Sequence, residues 1–242
     1  MSLYTLASFL PVSILLLTGM LLSILTKKLT LLAAVAGGIV GLCIYCGAGF
    51  TGIAMIAAFF LSGSTATSWK ANSKEKLGTA EENKGQRKPG QVIANGGVAA
   101  LCGVLSLLIP ENAILFSVMM AASLSSATAD TLSSELGTLY GKNFYNIKTL
   151  MKDKRGLDGV ISFEGCMIGV AGSIIIALIY SVGYGFGNYT LYIVLAGTIG
   201  NLADSYMGAT VERKNLLNNN EVNFLNTLIA AIAALGLFSL IK

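Results

Sequence analysis

The chain contains no histidine. That removes imidazole as a general base, as a metal ligand and as a phosphoryl carrier in one stroke. Charge is also scarce: only 12% of the 242 residues are Asp, Glu, Lys or Arg, against 54% hydrophobic residues. A chain so poor in charge cannot cover a soluble surface, and composition excludes a soluble domain. Proline occurs only 3 times and cysteine 4 times. Cys43 and Cys46 form an isolated CxxC inside an apolar run, which reads as buried small hydrophobes rather than redox or zinc chemistry. No basic stretch precedes the first apolar run, and that run is long enough to span, so a cleavable signal peptide is not expected.

What is present is apolar sequence in long blocks. Runs such as Leu3 to Leu25 and Gly165 to Val182 match the ~20 residues needed to cross a bilayer as helix. A transmembrane barrel would instead alternate over segments of about ten residues. The expected fold is therefore all-α, a polytopic integral membrane helix bundle forming a single domain over residues 1–242. Glycine is plentiful, with 28 residues, and Ala33 to Gly41 and Gly169 to Ser173 read as faces where helices approach closely.

Eight apolar spans are expected, at about 4–25, 29–46, 50–67, 91–109, 113–133, 161–182, 189–207 and 223–241. Three polar loops separate them, at about 68–90, 141–160 and 208–222. With the N-terminus outside, 15 of the 16 basic residues fall in cytoplasmic loops, as the positive-inside rule requires. They are Lys27, Lys28, Lys70, Lys74, Lys76, Lys84, Arg87, Lys88, Lys142, Lys148, Lys152, Lys154, Arg155, Arg213 and Lys214; only Lys242 falls outside.

In that topology the unusual polar residues share one depth. Asp130 and Glu135 close the fifth span and Asp204 the seventh, all at cytoplasmic ends. Asn95, Glu164 and Asn223 open the fourth, sixth and eighth spans from the same side. Acids inside membrane helices are expensive and mark functional sites by default. Asn201, Asp204, Ser205 and Gly208 follow helical spacing and share one face, as do Asp130 and Ser134. Glu135 comes five residues after Asp130, about 140° around a regular helix. Either the helix opens near Ser133-Ser134 or the two acids do not act together.

Carboxylates with hydroxyls and amides suit a hard, oxygen-seeking ion such as Mg²⁺. Loop cations such as Lys88, Lys148 and Arg155 suit phosphate oxygens. Each element also has a plain reading: an Asp at a helix end reaching water, or loop lysines that set topology and meet anionic lipid. Gly183 to Gly187 has the wrong spacing for a dinucleotide fingerprint. Gly137 to Lys142 is too short for a P-loop, with Asn143 in place of Ser or Thr.

At these residues the chain resembles a known integral membrane family, that of transmembrane protein 19 and phytyl-phosphate kinase, also called domain of unknown function 92. The resemblance rests on Lys76-Leu77-Gly78-Thr79-Ala80, Gly85-Gln86-Arg87, Gln91 to Gly97, Ala129-Asp130-Thr131 through Ser134-Glu135-Leu136-Gly137, Asp204 to Thr210 and Asn219 to Asn223. These stretches follow the family's order. Two positions depart from it: Arg155 to Val160 carries Asp158 and no proline where the family has a Pro-Gly-Thr turn, and Leu132 stands where Trp is frequent.

The resemblance implies phosphoryl transfer from a nucleoside triphosphate, CTP first, to an isoprenyl monophosphate lipid of phytyl or polyprenyl type. It implies Mg²⁺ held by Asp130, Glu135 and Asp204. It also implies a nucleotide or phosphate site including Gln86, Arg87, Asn95 and Asn223. Lys88, Ser134, Asn201, Ser205, Lys148 and Arg155 are the neighbouring candidates for substrate contacts. The prenyl tail is expected between helices, against a Gly/Ala-lined face. The site is expected to face the cytoplasm from the plasma membrane of a prokaryote, with no nucleic-acid partner. Two rival readings are a cytidylyltransferase acting on a lipid phosphate and an ion-coupled transporter.

Overall fold

The structure, a computed structural model, describes residues 3–79 and 85–240, with side chains from Phe9 onward. Lys84 and Lys242, counted in the charge asymmetry, and Ala80 lie outside the described residues. The helices are α1 (Leu3–Leu25), α2 (Leu31–Ser68), α3 (Ala71–Leu77), α4 (Pro89–Leu108), α5 (Ala113–Tyr140), α6 (Phe163–Tyr184), α7 (Asn188–Met207) and α8 (Asn219–Ser239). A short 3₁₀ turn, Pro110–Asn112, joins α4 to α5. The fold is the helical membrane bundle the composition calls for, and five of these segments are long and apolar enough to cross a bilayer. α7 is not among the five; Asn201, Asp204 and Ser205 dilute its apolar character.

α2 is not one rod. Gly49 has φ 58° and ψ −147°, a backbone conformation open mainly to glycine. A straight helix would hold Ile44 and Gly52 about 12 Å apart. Here a Cβ on Gly52 would lie 3.0 Å from the Ile44 carbonyl oxygen. The chain therefore reverses at Gly49 into two antiparallel arms, and Lys28 reaches across their open end to donate to the Ser68 hydroxyl. The arms occupy the segments expected as the second and third spans.

Local signals set the other helix ends. Thr30 caps α2 by accepting from the Ala33 N–H at 3.2 Å, and Ser162 caps α6 from Gly165 at 3.1 Å. Asn218 and Glu221 form a reciprocal capping box at the start of α8, with bonds of 3.1 and 2.8 Å. Pro89 opens α4, where its missing N–H costs nothing.

α5 runs through the middle of the bundle. Every residue from Met120 to Ala129 on it is buried. Most are Ala, Ser or Thr, which lets four or five neighbours close around it. Glycines serve the same end where backbones meet. A Cβ on Gly137 would lie 2.8 Å from the Gly165 Cα, and one on Gly172 would lie 3.2 Å from the Thr128 carbonyl oxygen, so α6 lies directly on α5. Some hydroxyls inside the core find partners, as where Ser125 donates to the Ile193 carbonyl at 3.3 Å and Ser126 to Asn226 Oδ1 at 3.0 Å, while those of Ser123 and Ser173 have none.

Three details differ from the sequence expectation. α5 continues to Tyr140 rather than stopping near 133, because Ser134 to Tyr140 keeps helical hydrogen bonding over α6. The loop at 141–160 contains a two-stranded antiparallel ladder, Tyr145–Asn146 with Val160–Ile161. The 208–222 loop begins with a π-helical turn, Gly208–Glu212, that extends α7.

Candidate functional site

The ends of α4, α5, α6, α7 and α8 nearest the long loops enclose a polar cavity of about 220 Å³. Asp130 of α5 and Asp204 of α7 both line it, with their carboxyl groups close enough to interact. Asp204 is held from behind. Asn226 Nδ2 donates to Asp204 Oδ1 at 2.7 Å, while Asn226 Oδ1 accepts from Ser126 at 3.0 Å. Asn226 is fully buried, so this chain of contacts fixes one aspartate rigidly from the protein core.

Further donors and acceptors line the same space. Asn201 accepts from Ser133 Oγ at 3.1 Å, tying α7 to α5. A Cβ on Gly169 would collide with the Asn201 amide, so this glycine makes the room that amide occupies. Asn95 donates to the Gln91 carbonyl at 2.8 Å, but its own Oδ1 is buried without a hydrogen-bond partner, and so is Oδ1 of Asn223. Both residues line the cavity. Buried amide oxygens without partners are costly, and here they offer acceptor positions to a bound group.

The loop after α5 forms one wall. Phe144 and the segment from Gly156 to Ser162 line the cavity, bringing Asp158 and Gly159 against the turn that follows Asp204. Gly159 (φ 70°) packs so closely on Ser205 and Ala209 that no side chain fits there. Two contacts fasten the loop to that turn: Arg213 with Asp153 at 2.9 Å, and Arg213 Nε donating to the Asp158 carbonyl at 2.6 Å. The Lys154 N–H, then Arg213 and Asn146, hold the Asp153 carboxyl below its ordinary range.

Electrostatically the cavity is acidic. Among the described residues its lining holds Asp130, Asp158, Asp204 and Glu212, against one basic side chain, Arg87. Glu212 feels this crowding. Burial, then the Asp158 and Asp204 charges, push its carboxyl up to about 7, with Asn219 acting in the opposite sense. An anionic substrate entering such a site must bring cations with it.

Among the described residues, no three His, Cys, Asp or Glu side chains converge as a ready-made metal cage. Mg²⁺ usually takes one or two carboxylates and completes its shell with water and phosphate oxygens. The Asp130–Asp204 pair, with oxygen-bearing Asn201, Ser205 and the two orphan amide oxygens around it, supplies donors of the right hardness.

The candidates named from sequence fall into two groups. Asp130, Asp204, Arg87, Asn95, Ser134, Asn201, Ser205 and Asn223 all line the cavity. Glu135 does not, and this corrects its expected place beside Asp130. Because α5 stays helical, Glu135 points away and pairs with buried Lys74, whose ammonium also donates to the Ala66 and Thr67 carbonyls at 2.6 and 3.3 Å. Gln86 is likewise elsewhere, donating to the Leu29 carbonyl at 3.2 Å. Lys88 is exposed at the cap of α4 and Lys148 is exposed on the loop. Arg155 stacks on Phe144 at 4.6 Å and donates to the Gly141 carbonyl at 3.2 Å, so it supports the wall from outside.

Sequence reading missed Asn226, Glu212 and Gln91. Asn226 could have been found: it is an amide inside an apolar run, three residues after Asn223 and so on the same helical face. Glu212 gave no such signal, because it looked like an ordinary loop acid.

A family profile described as an integral membrane protein, DUF92, matches residues 14–231. The uncharacterized membrane protein sll0875 of Synechocystis is 35% identical over 205 residues, covering 82% of this chain and 78% of that one. The chloroplastic protein VTE6 of Arabidopsis thaliana is 36% identical over 197 residues, 77% of this chain and 58% of VTE6. The uncharacterized membrane protein MJ0933 of Methanocaldococcus jannaschii is 33% identical over 184 residues, 76% and 75% of the two chains. No solved structure matches the chain.

Proposed function

The chain belongs to the DUF92 family of integral membrane proteins, and on that premise we propose that it is a Mg²⁺-dependent prenyl-phosphate kinase. The reaction moves the γ-phosphoryl group of a nucleoside triphosphate, CTP first, onto an isoprenyl monophosphate. A phosphate oxygen of the lipid attacks the γ-phosphorus, the bond to the β-bridging oxygen breaks, and the products are the prenyl diphosphate and a nucleoside diphosphate. The observation that carries the reading is the close Asp130–Asp204 pair in a cavity that also holds Arg87 and two unpartnered amide oxygens.

Phosphoryl transfer asks the protein for alignment and charge neutralisation more than for covalent chemistry. The acceptor is already an anion, so no strong base is needed, and a chain without histidine loses nothing. Asp130 and Asp204 would hold Mg²⁺, which would supply the neutralising charge on the phosphate oxygens. Arg87 contributes a fixed positive charge to the lining of the cavity. Asn226 and Ser126 keep Asp204 from turning away. Asn95 and Asn223 offer acceptors to hydroxyl or amino groups of the nucleotide. The loop carrying Phe144 and Gly159 walls one side of the space.

The test uses purified protein with CTP, ATP or GTP labelled at the γ- or the α-phosphate, and prenyl monophosphates of several lengths. Transfer of γ-label into a lipid diphosphate is the expected result. Appearance of a CDP-lipid from α-labelled CTP would replace the kinase with a cytidylyltransferase. Uptake of solute into vesicles without any labelled lipid would replace the enzyme with a carrier.

A further inference from the structure

A second and larger space lies on the other side of Arg87. It is an apolar groove of about 800 Å³ between α1 and the two arms of α2, within the ~300–1,000 Å³ range of small-molecule pockets. Leu15, Met20, Ile53, Ala57 and Phe60 are typical of its walls. Its polar groups gather at one end, where Lys28, Ser68 and Arg87 meet. Arg87 lines both this groove and the carboxylate cavity. Its guanidinium lies over the Phe59 and Phe60 rings at 5.1 and 5.9 Å. It reaches α5 through a gap left by Gly63: a Cβ there would lie 2.6 Å from Arg87 Nη2 and 3.2 Å from the Thr131 methyl. The residue after Asp130 is thus one side chain away from the groove.

The glycines of the groove are of two kinds. Gly38 and Gly41 are needed for packing, since a Cβ on either would lie 2.7 Å from Met20 or Leu16 of α1. Gly19 and Gly37 are not. A Cβ on Gly19 meets nothing within 4 Å, and one on Gly37 meets nothing nearer than 3.9 Å. A glycine inside a helix is destabilising relative to alanine, so these two keep open space at a cost that helix packing does not explain.

Building on the kinase reading, we propose that this groove binds the hydrocarbon tail of a single-chain lipid monophosphate, entering from the bilayer between α1 and α2. The tail lies against Gly19 and Gly37, and its phosphate meets Arg87 at the boundary with the carboxylate cavity. Arg87 is then the hinge point of the site, with lipid phosphate on one side and metal-bound nucleotide on the other. The groove's lining from Leu15 to Thr26 of α1 covers about 16 Å of helix, which sets the stretch of tail it can hold.

The test is photolabelling of the full chain in nanodiscs, without nucleotide, using geranylgeranyl monophosphate with a diazirine near the tail end. The same chain as the free alcohol is the control. Labelling is expected on α1 and α2 around Gly19 and Gly37, competed by unlabelled prenyl monophosphate and not by the alcohol. Gly19→Trp, and as a second variant Gly37→Leu, should cut labelling and raise the lipid KM about tenfold, a loss of about 1.4 kcal/mol in binding, with the nucleotide KM unchanged. Arg87→Ala should remove the preference for phosphate over alcohol. Equal labelling by phosphate and alcohol would mean that ordinary bilayer lipid fills the groove. Better competition by two-chain phosphatidate, or labels on other helices, would equally overturn the proposal. Because labelling needs no nucleotide, it succeeds or fails independently of the kinase assay. Transfer that persists unchanged in both glycine variants would sink the groove alone.

Discussion

Two carboxylates five residues apart on α5 live in opposite surroundings. Asp130 looks into a cavity shared with Asp204, Asp158 and Glu212. Glu135 looks the other way, into a buried pair with Lys74, whose three ammonium donors are all used on protein oxygens. The first setting crowds four carboxylates around one guanidinium, Arg87, among the described residues. The second neutralises its charge internally. An acid inside a membrane helix is therefore not a site by virtue of its cost alone; what distinguishes a site is like charge crowded around a cavity.

Breaking the first side should have the larger effect on chemistry. Asp130→Asn and Asp204→Asn are each expected to lower kcat by about 10³-fold, the scale of losing a preorganised electrostatic contact in a closed site. The protein should remain extractable and monodisperse, read by size-exclusion elution alongside the transfer assay. Full activity of Asp130→Asn at saturating Mg²⁺ would refute the role given to it.

Breaking the second side should act on stability. Lys74→Met alone strands Glu135 as an unpaired buried charge, a loss of about 3–5 kcal/mol. The thermal midpoint in detergent should fall by roughly 10 °C. Lys74→Met/Glu135→Leu should recover most of that fall, because replacing both partners removes the stranded charge. If the double variant were instead as inactive as Asp130→Asn while fully folded, Glu135 would belong to the chemistry after all.

Arg87 sharpens the contrast, since among the described residues it is the lone basic side chain of an acidic lining. Arg87→Ala should lower kcat/KM for the lipid by about 10–100-fold, the range of a lost charge-assisted hydrogen bond. Arg87→Lys should recover part of it, because a point charge replaces the fork but not its geometry.

The smallest effect concerns Glu212. Its carboxyl holds a proton up to about pH 7 in the folded protein, whereas an unfolded glutamate releases it near 4.3. The folded state therefore binds more protons between those values, and metal-free stability should decline as pH rises through that window. Glu212→Gln should raise the thermal midpoint at pH 8 by on the order of 2 °C and by less at pH 5. An identical shift at both pH values would show that the carboxyl is not crowded.

Much of this arrangement is written in the sequence. The length of the apolar runs gives a helical membrane bundle, and acids or amides at the loop-facing ends of several runs mark one polar layer. Helical spacing then groups Asn201, Asp204 and Ser205, all of which line the cavity. What periodicity could not supply was the fate of Glu135, because that depended on whether α5 stayed regular past Ser133, and packing of Gly137 on Gly165 decides that. Nor could it say which loop cations reach the site. Lys88 and Lys148 sit in basic loops beside the cavity but point to solvent. Arg155 instead makes its contacts with Phe144 and the Gly141 carbonyl. A loop residue's position is set by tertiary contacts such as Arg213 with Asp153, which leave no local pattern.

The most direct measurement is Mn²⁺ binding followed by electron paramagnetic resonance, with a non-hydrolysable CTP analogue present. Wild type and the Lys74→Met/Glu135→Leu variant should bind the ion with equal affinity, and Asp130→Asn and Asp204→Asn should each lose at least about tenfold, or roughly 1.4 kcal/mol. Unchanged binding in both aspartate variants, or loss confined to the Glu135 variant, would contradict the assignment.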